Sequence, residues 1–144
     1  MSTHTPQITG GREALEFRLG DATYLVDIEN IEQIAEESDL TPVPDAPREV
    51  DGVMDLRGRT TTIVDPKVAL DVADDRDGSL VLVFDPTSRE DGETIGWAVD
   101  EVNRVVAFED DALEAPPASS AATIEGILQQ DGEFKLLVDP RSIY

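Results

Sequence analysis

The chain has 144 residues, a formal net charge of −21 and 40% hydrophobic residues. That length suits one domain with a real core, and the apolar share is too high for a disordered acidic chain. The absence of cysteine excludes disulfide frameworks and thiol chemistry, and the lone histidine, His4, argues against imidazole metal sites and serine–histidine triads. A pI near 4.1 argues against sequence-independent binding of nucleic acid. Residues 1–13 are polar, contain Gly10-Gly11 and read as a loose N-terminal tail without the features of a secretory signal. Leu15, Phe17 and Leu19 alternate with Glu16 and Arg18, which predicts a half-buried strand. Gly20-Asp21 marks a turn into a return strand at Tyr24-Leu25-Val26. Ile28, Ile31, Ile34 and Ala35 recur at helical spacing and predict a short amphipathic helix over 28–37, with Glu29, Glu32, Glu36 and Glu37 facing solvent. The stretch Thr41 to Pro47 is an extended, proline-rich connection.

The strongest internal signal is a repeat. Residues 52–66 (GVMDLRGRTTTIVDP) align without a gap on residues 126–140 (GILQQDGEFKLLVDP). Gly52 matches Gly126, Gly58 matches Gly132, and Val64-Asp65-Pro66 matches Val138-Asp139-Pro140, an offset of 74. Val26-Asp27-Ile28 resembles Val99-Asp100-Glu101 at an offset of 73. Two matches at nearly one offset indicate an internal duplication, each half a small β unit with a glycine-turned hairpin. Turns at Gly20, Gly58, Gly78, Gly92 and Gly132 point to paired β-barrels or a sandwich of about six to ten short strands. Ala112 to Ala122 reads as a loop.

The three Asp-Pro pairs, at Asp65, Asp85 and Asp139, read first as strand stops, because proline lacks an N–H and pushes the preceding residue to extended geometry. A carboxylate-based hydrolase is the rival reading of the same residues. Trp97 alternates with Ile95 and Val99, so core packing is favoured, with an interface anchor second and a small-ligand barrel third. The halves differ at one telling place: Arg57 in the first stands where Asp131 is in the second. Arg57-Gly58-Arg59 puts two guanidinium groups at a hairpin tip of an anionic protein, and arginine is suited to planar recognition of carboxylates. A local ion pair with Asp51 or Asp55 is the alternative. Of the 11 cations only Lys67 and Lys135 are lysine. So much like charge repels itself at low salt and is screened at molar salt, where the Debye length is about 3 Å. The charge therefore points to a cytosolic protein of a salt-accumulating organism.

The ordered set Phe17, Tyr24 to Ile28, Thr41 to Pro44, Gly52 to Gly58, Ile63 to Asp65, Gly96 to Val102, Ile124 to Gly126 and Leu136 to Asp139 resembles the CheW chemotaxis coupling family from about Leu15 to Ile143. With the charge, the source reads as a halophilic archaeon. The resemblance implies an all-β fold of two intertwined SH3-like five-stranded barrels with one or more short helices. It places a CheW-like domain over 14–144, with halves at about 14–70 and 79–144. It implies a non-catalytic cytoplasmic adaptor, without cofactor or metal, linking chemoreceptor tips to a CheA-type histidine kinase. A kinase-derived regulatory domain of the same fold is the nearest alternative, and the chain's own Met1 favours a stand-alone protein. Carried over onto this chain, the partner-binding residues are Arg57, Gly52 and Ile31, with Leu56 and Gly58 in the same turn and Val102 as a weaker candidate. Asp55 departs from the family's common asparagine.

Overall fold

The structure is a computed structural model that describes residues 11–72, 80–86, 92–117 and 123–142. Strands β1 (Gly11–Leu19) and β2 (Ala22–Asp27) form the expected first hairpin, with Phe17 opposite Tyr24 and Leu15 opposite Val26. β1 starts at Gly11, inside the stretch read as tail, because Gly11 to Glu13 pair with β8 (Glu101–Glu109). Gly78 and residues 118–122 of the expected loop lie outside the described residues.

The helix expected over 28–37 is not formed. Ile28–Asn30 is a single 3-10 turn capped by Asp27, and Ile31–Glu36 is strand β3. The apolar spacing favours the helical period, and pairing with β6 (Leu80–Phe84) overrides it, which turns Ile34 outward and Gln33 inward. On β3 the half-buried residues are Ile31, Gln33 and Ala35, while Ile34 is 45% exposed.

β4 (Val50–Leu56) and β5 (Arg59–Val64) form one repeated hairpin, and β10 (Ile124–Gln130) and β11 (Glu133–Val138) the other. The duplication extends to backbone detail. Both hairpins carry a register shift at the repeated glycine. Both turn on two left-handed residues, Arg57-Gly58 and Asp131-Gly132, with φ of 54° and 83° in one and 54° and 78° in the other. That is the turn whose twist matches a two-residue hairpin. The only α-helix among the described residues, α1 (Pro66–Leu70), follows β5. Asp65 caps it by accepting the Lys67 N–H, and Asp139 accepts the Arg141 N–H in the same way after β11. The Asp-Pro pairs thus end strands, as read, and Asp65 and Asp139 also start short helical turns.

Eleven strands among the described residues form two mixed sheets. One runs β8-β1-β2-β11-β10-β9, with β9 at Leu113–Glu114, inside the stretch read as loop. The other runs β3-β6-β7-β5-β4, with β7 at Ile95–Val99. We call them barrel A and barrel B. Each joins the first hairpin of one half to the later strands of the other half, through one parallel contact: β2 with β11, and β5 with β7. The two-residue β9 in barrel A has its counterpart in barrel B, where Thr41 bridges Val53.

Three apolar clusters follow from this interlacing. Barrel A encloses Ala14, Leu25, Val106, Phe108, Leu128 and Leu137, and barrel B encloses Met54, Ile63, Val81, Val83 and Ala98. The largest cluster lies between the barrels and includes Phe17, Tyr24, Leu82, Phe84 and Trp97. Trp97 is fully buried, edge-on to Phe84 and Phe17 at 5.1 and 6.1 Å between ring centres, which bears out the core reading.

Candidate docking surface

The β4–β5 tip stands against edge strand β3. Arg59 forms an ion pair with Glu32 across this gap, and Glu32, Gln33, Leu56, Arg57 and Arg59 line an open hollow of about 310 Å³. Leu56 roots the tip by packing against the apolar interior of barrel B. Asp55 is occupied by the Gly58 N–H at 3.4 Å. Arg57 is exposed and makes no ion pair among the described residues, so the local-pair reading with Asp55 or Asp51 fails and the guanidinium faces solvent. Its backbone is left-handed, which costs a residue with a Cβ about 1–2 kcal/mol. Asn, Asp and Gly are the usual residues there, and barrel A has Asp131.

Gly52 plays a different part. It is buried with φ 152°, and a Cβ there would lie 2.6 Å from the Thr41 carbonyl oxygen. It lets the Thr41 segment close over β4 and so shapes the surface without presenting a side chain to it. Ile31 and Val102 are half-buried and pack against the cluster between the barrels, on β3 and β8 respectively. Four of the six expected site residues, Gly52, Leu56, Arg57 and Gly58, therefore belong to one hairpin, while Ile31 and Val102 lie along the seam between barrels. Ile34 adds an exposed apolar side chain to β3.

Barrel A closes by the same geometry with reversed charge. Arg104 of β8 approaches Asp131 of the tip at 3.9 Å and Glu16 at 3.4 Å. Glu16, expected on the polar face of a half-buried strand, is 5% exposed, because β1 is covered by the barrel interior on one side and the seam on the other. Lys135, 1% exposed, donates to Glu16 at 2.7 Å and to Gln130 at 3.0 Å, and Asn103 donates to Glu16 at 2.8 Å. Burial alone would raise the Glu16 carboxyl, but the hydrogen bonds from Lys135 and Asn103 outweigh it and hold the group below the ordinary glutamate range.

Asp65, Asp85 and Asp139 each follow a different strand, β5, β6 and β11. Among the described residues no group of three or more acids or imidazoles is arranged to hold a metal ion, and no helix is long and apolar enough to cross a membrane.

The geometry agrees with what comparison finds. The CheW-like domain model matches residues 13–144. The chemotaxis protein CheW of Rhizobium meliloti is 29% identical over 141 residues, covering 94% of this chain and 88% of that protein. The chemotaxis protein CheW of Thermotoga maritima is 28% identical over 129 residues, covering 88% and 83%. The crystal structure of the scaffolding protein TtCheW from Thermoanaerobacter tengcongensis superposes with a TM-score of 0.83 at 21% identity, over 97% of this chain and 90% of that one. That likeness bears on the fold, and the match of a family model over nearly the whole chain decides the membership: the chain belongs to the CheW family.

Proposed function

We propose that this protein is a non-catalytic chemotaxis adaptor that couples the cytoplasmic tips of chemoreceptors to a CheA-type histidine kinase. The observation that carries the reading is the family match over residues 13–144. The three aspartates of the rival hydrolase reading each follow a different strand, and Asp65 and Asp139 also cap helical turns, which favours the surface over a cleft as the working part. The protein acts in the cytoplasm and reaches the membrane only through its receptors.

Within that reading the β4–β5 tip is the docking element. Arg57 has an unspent guanidinium and occupies a backbone position that suits it poorly. A residue kept against its local preference suggests a functional demand. Partner contacts centre on Arg57 with Leu56 and Gly58 beside it, Gly52 holding the hairpin's shape, and Ile31 and Val102 supplying apolar contact along the seam. Co-purification at molar salt tests the function. Recovery of a histidine kinase together with transducers is the expected result, and recovery of neither overturns it.

A further inference from the structure

The chain passes between the two barrels twice among the described residues, from β2 to β3 at Asp27 and from β7 to β8 at Asp100. The repeat makes these two crossings equivalent, yet they are tied differently. At Asp100 the backbone N–H donates to the Arg18 carbonyl at 3.1 Å, one carboxylate oxygen accepts the Gly20 N–H at 2.7 Å, and the other accepts Lys67 Nζ at 2.9 Å. Arg18 and Gly20 belong to the β1–β2 hairpin of barrel A. Lys67 rides on α1 of barrel B, 2% exposed, and Leu70 of the same helix packs against the cluster between the barrels. A single carboxylate thus joins both barrels through a buried ammonium. At Asp27 the carboxylate accepts its own turn's Glu29 N–H at 3.0 Å and half-exposed Arg12 of barrel A at 3.1 Å. Arg141, which stands 74 residues after Lys67, folds back on Asp139 at 3.2 Å with its side chain 62% exposed. No buried cation closes this second crossing among the described residues.

We infer that the Lys67–Asp100 pair is a one-sided clasp that sets the angle between the barrels, so that relative motion pivots there and opens at the Asp27 crossing. A pair whose ammonium is buried and whose two carboxylate oxygens each accept a hydrogen bond holds one geometry, whereas exposed pairs such as Arg141–Asp139 exchange freely with water. Any partner that touches both barrels reads the angle this clasp fixes. The clasp belongs to the fold and stands whether or not the adaptor reading does.

Lys135 provides an internal control, since it is equally buried but lies wholly within barrel A. The chain has no cysteine, so Glu36→Cys on β3 and Glu133→Cys on β11, both at exposed positions, would carry spin labels on opposite barrels. Pulsed dipolar spectroscopy at molar salt then reads the distance between barrels. The expected result is a narrow distribution in the parent and in Lys67→Arg, and a broadened or shifted one in Lys67→Met. The double variant Lys67→Met/Asp100→Asn removes the uncompensated carboxylate and should fold where Lys67→Met does not, and it too should broaden. Lys135→Met should lower the unfolding midpoint while leaving the distance unchanged. A parent-like distribution in the double variant, or equal broadening in Lys135→Met, would overturn the clasp.

Discussion

In barrel B the hairpin tip is cationic and the edge strand it meets is anionic, Arg59 against Glu32; in barrel A the signs reverse, Asp131 against Arg104. The interiors differ as well. Where barrel A buries Glu16 with Lys135, barrel B has Val81 and Thr61 at the matching positions and an apolar interior. Backbone features that a duplicated hairpin needs have persisted: the bulge, the two left-handed turn residues and the glycine beneath a crossing strand. Side chains that the backbone does not need have diverged. The comparison separates what builds the fold, which both halves keep, from what one half alone carries, which is the exposed arginine tip.

The largest expected effect probes the interiors. Lys135→Met takes the buried ammonium away from the Glu16 carboxylate, leaving it Asn103 and the exposed Arg104, and should cost about 3–5 kcal/mol in denaturant unfolding. Thr61→Val, at the equivalent site of barrel B, gives up one long hydrogen bond to the Arg59 carbonyl and should cost about 1 kcal/mol. Replacing both partners, Glu16→Val with Lys135→Met, should recover most of the loss, since a matched apolar pair tolerates burial. Equal costs at Lys135 and Thr61 would mean that the two interiors do not differ in the way described.

Acid sharpens the same contrast. The Glu16 carboxyl lies below its ordinary value of 4.5 when folded. Its contribution is therefore fully present above the ordinary glutamate pKa and is lost as pH falls through the lower folded value. Unfolding midpoints measured from pH 6 downward should fall less steeply in Glu16→Val/Lys135→Met than in the parent. Parallel curves would remove Glu16 from the account.

Salt acts on the whole surface. With a net charge of −21, the unfolding midpoint should rise between 0.1 M and several molar salt as repulsion is screened. A flat response would contradict the reading of the charge as an adaptation to a salty cytosol.

The smallest stability effect concerns the tips. Arg57→Asn relieves an unfavourable left-handed arginine and should stabilise by about 1 kcal/mol. Asp131→Asn, already a suitable residue type, should change stability by less than about 0.5 kcal/mol.

Much of this plan was legible in the sequence. The ungapped repeat announced two hairpins with matching turns, and the alternation around Trp97 announced a core strand. The interlacing of the halves was not legible from periodicity, because it depends on parallel contacts between β2 and β11 and between β5 and β7, which leave no local pattern; the fold expected from the family resemblance supplied it. Strand β3 is not legible locally, because Ile31, Ile34 and Ala35 recur at helical spacing and only pairing to β6, a long-range contact, makes the segment a strand with Ile34 outward. That both lysines are buried does not follow from their scarcity among nine arginines. Lys135 shares the inward face of β11 with Leu137, and that alternation places an ammonium inside a barrel. Of the candidate site, the Arg57 tip was visible as a difference between halves. The role of Gly52 was not, because it depends on the Thr41 segment passing 2.6 Å from where a Cβ would be.

The account rests most directly on Arg57, and a binding titration at molar salt tests it. The purified chain, Arg57→Asn and Asp131→Asn are each titrated with the regulatory domain of a CheA-type kinase and with a chemoreceptor cytoplasmic fragment. The account predicts that Asp131→Asn binds as the parent does, while Arg57→Asn, though at least as stable, loses on the order of tenfold or more in affinity for one of the two partners. Parent-like affinity of Arg57→Asn for both partners would contradict it.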